Sequence, residues 1–298
     1  MKHRVWPAAA AAAAGIQVGS AMVATRLVVD QAGPASLALL RYVLGACCLV
    51  PAVLLSRSRA NFARRDLLPI ALLGIAQFGI LIALLNFGLR SVPSARAALI
   101  FATFPLLTSL IGAALGRERL TLRKLSGVLL TIVGVALALG DKTLQRGLAA
   151  DAWIGELAVL ASAACGAFCS VLYRPYLEKY PTLPVSAFAM LASVAFLVPL
   201  AAGEGFFAAP PGLTPVGWMA VAFIGLGSGG GYYLWLWALQ HATPTRVTAF
   251  LALSPVTAAA LGAWLLGEPV TRLAALGLVA VAAGLALAHL DSARDGTL

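Results

Sequence analysis

The sequence predicts an all-α integral membrane protein with ten transmembrane helices, built as two inverted five-helix repeats. Three observations carry this prediction. First, 61% of the 298 residues are hydrophobic and only 11% are charged, about half the ~25% with which a water-soluble domain coats itself. Second, apolar runs recur along the chain, each near the ~20 residues that cross a bilayer as a helix. Third, the chain resembles itself at a shift of 150 residues, with an odd number of spans in each copy. A membrane β-barrel does not fit, because the runs are continuous and rich in Leu and Ala rather than alternating with period two.

The spans fall at about 5–28, 35–55, 67–88, 94–116 and 122–140 in a first unit, residues 1–145. In a second unit, residues 146–298, they fall at about 152–174, 184–202, 214–239, 245–266 and 271–290. Lys2 and Arg4 before an apolar stretch give the N-terminus the look of a signal peptide. The stretch is long enough to span, and many spans follow, so it is read as the first transmembrane helix. Connections are short. The longest irregular piece, 203–213, holds Gly203, Gly205, Pro210, Pro211 and Gly212, residues that end helices and form turns.

With the N-terminus placed in the cytoplasm, 14 of the 21 Lys and Arg residues fall in cytoplasmic segments and 6 in external ones, with Arg41 inside a span. That bias predicts a multi-pass protein of the cytoplasmic (inner) membrane with both termini cytoplasmic. It also accounts for the net charge of +10 without nucleic acid, since the basic residues sit in loops at membrane surfaces. The partners expected are the lipid bilayer and a small-molecule substrate, for a monomer or a homodimer. Cys47, Cys48, Cys165 and Cys169 all lie in apolar runs, which argues against a disulfide framework. Cys165 and Cys169 share a helix face at i, i+4; buried inert thiols are favoured there over a metal site.

The repeat is the most informative feature. Leu89–Gly140 lies on Leu239–Leu290 without a gap, and 14 of 52 positions are identical. Arg96 falls on Arg246, Pro105 on Pro255, Gly112 on Gly262, Glu118 on Glu268, Thr121 on Thr271, Gly127 on Gly277 and Gly134 on Gly284. Upstream, Pro34 falls on Pro184 and Ser36 on Ser186. Consecutive units of five helices must enter the membrane with opposite orientation. Inverted repeats are a signature of secondary transporters, because exchanging the conformations of two similar halves changes which side is open.

These residues carry a family resemblance. Gly88–Gly140 and Ala238–Leu290 resemble the EamA repeat of the drug/metabolite transporter superfamily, through a Pro in the fourth helix, a Glu-x-x-Thr turn and a Gly-rich fifth helix. The second copy, Leu266-Gly267-Glu268-Pro269, is closer to the family's usual turn than Gly116-Arg117-Glu118-Arg119, which carries an inserted basic residue. The resemblance implies a carrier of amino acids or other metabolites, often outward from the cell. It also implies a central cavity lined by spans 1–4 and 6–9, with spans 5 and 10 as scaffold.

The candidate lining residues are Gln17, Arg41, Gln77, Asn86, Phe101, Thr103, Phe168, Tyr173, Ser228, Tyr232, Tyr233, Trp235 and Ser254. Phe104 extends the same aromatic set. Arg41 is the one charge well inside a span, and a charge there is expensive and functional by default. It either binds a carboxylate or snorkels to the external surface about 9 Å away. The aromatic residues after Gly231 either form an interfacial belt or stack on the solute. Pro105 and Pro255 are the candidate hinges, since proline removes a helical hydrogen bond and clashes with the preceding turn; a static kink is the alternative. The G-x-G-x-x-G at Gly225, Gly227 and Gly230 has no βαβ context and is no dinucleotide site; it serves close helix packing or a pathway wall.

No cofactor and no metal are expected. Without an Asp or Glu near the centre of any span, a carboxylate proton relay is not evident, and Glu156 or His241 is the nearest coupling candidate. Enzymatic readings fail: Leu226-Gly227-Ser228 does not meet the G-x-S-G pattern of a rhomboid-like protease, and no H-E-x-x-H occurs. Amino acid export, with aromatic amino acids as the specific reading, stands ahead of drug or nucleotide-sugar transport.

Overall fold

The computed structural model describes residues 5–56, 61–117, 122, 126, 127, 129–134, 136, 137, 151–209 and 211–292. Among these residues the secondary structure is helical, with no strand. The elements are α1 (Val5–Val28), α2 (Pro34–Leu55), α3 (Arg64–Gly74), α4 (Leu81–Leu89), α5 (Ser94–Phe101), α6 (Phe104–Ala114), α7 (Asp151–Lys179), α8 (Thr182–Gly203), α9 (Pro215–His241), α10 (Pro244–Ala249), α11 (Leu253–Leu266) and α12 (Arg272–Ser292). A π-helical turn, Ile75–Ile80, joins α3 to α4, and a 3-10 turn, Phe250–Ala252, joins α10 to α11. Among the described residues, seven helical segments are long and apolar enough to cross a membrane.

Helix contacts follow the two-fold relation that the repeat predicts. Under a shift of 150 residues, the packing of α1 on α9 corresponds to that of α7 on α4, and α1 on α11 corresponds to α7 on α6. The pair α2·α8 maps onto itself, and α5·α11 corresponds to α6·α10. Glycines make the relation explicit. A Cβ on Gly134 would lie 2.7 Å from the Gly277 carbonyl, and one on Gly284 would lie 2.6 Å from the Gly127 carbonyl. These are the same two repeat positions, exchanged. Small residues let membrane helices approach closely where no hydrophobic driving force separates protein from lipid.

Two crossings are broken at matching places. α5 gives way to α6 at the turn Ala102–Thr103, and α10 gives way to α11 through Phe250–Ala252. Pro105 sits in the first turn of α6 and Pro255 at the third position of α11. Backbone groups freed at such a break must find partners inside the bundle. Here hydroxyls supply them: Thr103 Oγ1 donates to the Ile100 carbonyl at 2.8 Å, and Ser254 Oγ to the Leu251 carbonyl at 2.7 Å. Both crossings end on a glycine in the left-handed region, Gly116 (φ 66°) and Gly267 (φ 64°), as helix C-termini favour. Pro51 and Pro199 lie inside α2 and α8.

Carboxylates of the second repeat hold the helix N-termini of the first. Glu204 accepts from the backbone N–H groups of Ala35 (3.0 Å) and Ser36 (2.8 Å) and from the Ser36 hydroxyl (2.7 Å). Glu268 accepts from the Ser94 N–H (3.1 Å) and the Ser94 hydroxyl. Anions at a helix N-terminus pair with its unsatisfied donors. At the same end of the bundle, Arg26 donates to the carbonyls of Leu89 and Arg90, Arg90 donates to Ala32, and Arg96 faces Glu156 at 3.7 Å. At the opposite end, Asp66 accepts from Lys179 and Tyr180, and Gln240 accepts from Thr182. Glu118 and Thr121 of the first Glu-x-x-Thr turn, and the side chain of Arg246, lie outside the described residues.

Candidate functional site

A cavity of about 90 Å³ lies between these two sets of contacts. α1 contributes Ala14, Gln17, Val18, Ala21, Met22 and Thr25, a single face at the i, i+3, i+4 spacing of a helix. α2 adds Arg41 and Tyr42, the π turn adds Gln77 and Phe78, and α4 adds Leu81, Ile82 and Leu85. Phe101 and Phe104 flank the break in the fourth crossing. Ser228, Gly231, Tyr232 and Trp235 come from α9, and Leu251 from the 3-10 turn.

The lining holds one cation and no carboxylate. Arg41 is 7% exposed. Its Nε donates to Ser228 Oγ at 2.5 Å, and its guanidinium carbon lies 5.6 Å from the centre of the Tyr42 ring. Among the described residues it has no acidic partner. Ser228 in turn donates to the Ile224 carbonyl. An Arg within a membrane helix is costly, and a hydrogen bond to a neutral hydroxyl leaves its charge without a counter-ion. Arg41 lines the cavity.

Aromatic rings form two connected groups of three. Tyr42 meets Phe78 edge-on at 4.9 Å, Phe78 meets Tyr232 at 4.0 Å, Phe101 meets Phe104 at 5.4 Å, and Phe104 meets Trp235 at 6.1 Å. Such edge contacts each add roughly 1 kcal/mol beyond area burial. Tyr232 and Trp235 therefore belong to the interior and not to an interfacial belt. Among the atoms at this site, Gln17 Nε2 and Gln77 Oε1 are buried without a hydrogen-bond partner. Buried polar groups are ordinarily paired, and an exception calls for an explanation.

Glycines of α9 shape the polar side. Gly227 and Gly231 lie against the Gln17 amide, so that a Cβ would fall 3.2 and 3.1 Å from it. Gly225 and Gly229 press on α2 at Leu44 and at the Gly45 carbonyl. The glycine run thus both packs helices and opens a cavity wall. The π turn places Gln77 and Phe78. Single π turns within α-helices frequently mark functional sites. The thiol of Cys165 donates to the Ala76 carbonyl at 3.3 Å, and that of Cys169 to Leu73 at 3.9 Å, so both thiols serve backbone groups where the helix widens.

Of the residues expected to line the cavity, Gln17, Arg41, Gln77, Phe101, Ser228, Tyr232 and Trp235 do so. The other six stand elsewhere. Asn86 is buried and donates to the Pro34 carbonyl at 3.0 Å, tying α4 to α2. The hydroxyls of Thr103 and Ser254 are used by the helix breaks. Phe168 is 49% exposed on the outer surface of the bundle. Tyr173 is fully buried behind Tyr232, their rings 6.5 Å apart. Tyr233 borders a second cavity with Lys179, Trp237 and Gln240. Spans 6 and 7, that is α7 and α8, supply no lining residue, contrary to the family expectation. They are closed instead by glycine contacts, Gly166 on the Phe104 ring and Gly74 on the Ala189 carbonyl. Tyr42 and Phe78 escaped the sequence reading, although each is the chain neighbour of a polar residue that it identified.

Comparison with known proteins agrees with this architecture. The profile of the EamA-like transporter family matches residues 5–140 and again 153–290. The chain is 32% identical over 267 residues to a protein of Streptantibioticus cattleyicolor named "Probable terminal-alkyne amino-acid exporter", covering 87% of this chain and 84% of that one. It is 30% identical over 273 residues to the "Uncharacterized inner membrane transporter YedA" of Escherichia coli, covering 89% and 85%. One solved crystal structure shares the fold, with a TM-score of 0.72 at 24% identity over 96% of this chain and 97% of that one. With two matched repeats spanning nearly its whole length, the chain belongs to the EamA-like transporter family, a family of membrane transporters and not of enzymes.

Proposed function

We propose that this protein exports an amino acid across the cytoplasmic membrane by alternating access between its inverted halves, with both termini cytoplasmic. The observation that carries the reading is Arg41, a buried cation that faces the cavity with no acidic partner among the described residues. A substrate carboxylate would supply the missing charge, received by the guanidinium with Ser228 beside it. Pro105 and Pro255, at matching breaks, are the positions where the halves would flex. The name of the Streptantibioticus relative supports amino acid export. The cavity volume of about 90 Å³ is below the roughly 150 Å³ of an engineered cavity that holds benzene. In this conformation it favours a compact side chain over an aromatic one. A nucleotide sugar or other phosphate-bearing solute is disfavoured, because a single cation lines the site.

The test is uptake of labelled amino acids by liposomes holding the purified protein, first with short aliphatic and alkynyl side chains, then with phenylalanine and tryptophan. Loss of a charge-assisted hydrogen bond, about 1.5–3 kcal/mol, predicts that Arg41→Gln raises the half-saturation concentration roughly tenfold to a hundredfold, with Arg41→Lys in between. Unchanged half-saturation in a folded Arg41→Gln protein sinks the carboxylate assignment.

A further inference from the structure

The polar atoms of the cavity fall at two places. A donor pole lies against α9: the Arg41 guanidinium and the amide nitrogen of Gln17 over Gly227, with the Gln17 amide oxygen turned to Gly231. The unpartnered amide oxygen comes from another element, Gln77 on the π turn, next in the chain to Phe78. Phe78 touches both Tyr42 and Tyr232, so the π turn and the donor pole share one wall. No Asp or Glu lines the cavity. A zwitterion held there by its carboxylate must therefore place its ammonium on neutral acceptors. Gln77 Oε1 is an sp² oxygen with two lone pairs, buried and unused.

We propose that Gln77, carried on the π turn, is the ammonium acceptor of the site, and that this pole makes the carrier select amino acids over organic acids lacking the amine. The inference rests on the amino acid reading of the Arg41 pole and adds the second half of the substrate. The π geometry has a role in it. Extra residues in a helical turn redirect the side chains that follow, and Gln77 and Phe78, adjacent in sequence, both reach the cavity. A substrate without the amine leaves Gln77 Oε1 buried and unpaired, the situation in which polar sites reject an analogue.

The experiment compares competition by an amino acid and by the carboxylic acid that lacks its amine against one labelled amino acid in proteoliposomes. Norvaline and pentanoate serve as probes, since pentanoate has no donor at the position of the amine. The wild-type protein is expected to prefer norvaline by about 10–100-fold. Gln77→Met, which keeps the volume and removes the acceptor, should collapse that ratio toward one by weakening norvaline while pentanoate holds. Gln77→Glu should restore or raise it. Because the ratio is read within one protein, a partly destabilised variant still reports. A ratio that survives Gln77→Met, or a wild-type ratio near one, overturns the ammonium assignment and leaves the carboxylate reading standing. Failure of both compounds to compete in the wild-type protein overturns the carboxylate reading as well.

Discussion

Single residues decide how closely these helices approach, and glycine marks the tightest places. A Cβ on Gly74 would sit 2.2 Å from the Ala189 carbonyl, a backbone atom that cannot swing aside. Gly230 has nothing within 4 Å of the same position. Overpacking costs about 1–3 kcal/mol, whereas a glycine in open helix gains roughly 0.5–1 kcal/mol on replacement by alanine. Gly74→Ala should therefore lower the thermal unfolding midpoint in detergent, and Gly230→Ala should leave or raise it. The opposite order would show that α3 and α8 do not meet as described. The sequence draws the eye to Gly230, in the conspicuous run, and not to Gly74, which stands alone, so it does not tell which of the two is tightly packed. Arg41, by contrast, was legible from its own chemistry, since one charge in an apolar span has few explanations. Phe101 and Phe168 were not separable: an aromatic ring in a span suits a cavity, a core or lipid, and only the bundle says which.

Whole helices were legible from hydropathy, and two of their interruptions from proline. The breaks near Ala102 and Phe250 stand just before Pro105 and Pro255, where the lost hydrogen bond predicts them. The π turn at Ile75–Ile80 contains no proline, and its cause lies in packing against α7 and α8 that no local pattern records. The glutamate caps were half legible. Glu268 was marked by the repeat, but its partner Ser94, 174 residues away, was not. A cap lost to alanine costs about 1 kcal/mol. Glu204 is exposed and Glu268 half-buried, so Glu268→Ala should destabilise more than Glu204→Ala, with Glu268→Gln intermediate. Equal unfolding midpoints for all three and the wild type would mean that these carboxylates do not hold α2 and α5 in solution.

At the scale of the molecule, inverted repeats predict a carrier rather than a pore. Unlabelled substrate inside the liposomes should accelerate entry of labelled substrate, a trans-stimulation that a continuously open channel does not show. The repeat also exposes an asymmetry in the cavity. The lining comes from α1 and α2 but not from their repeat counterparts α7 and α8. The residues at the positions equivalent to Gln17, Thr25, Arg41 and Tyr42 are Ala167, Pro175, Leu191 and Ala192, and Gly227 stands at the equivalent of Gln77. Under the proposed exchange of conformations between halves, the wall brought to the solute would carry none of the charge or amide groups of the wall withdrawn. Such a difference cannot drive export, since at equal concentrations on both faces the net flux is zero whatever the walls are made of. It sets instead the concentration at which each face saturates. Initial rates in vesicles of the two orientations should give two different half-saturation constants, and a cell could load this carrier at one concentration while it unloads against another.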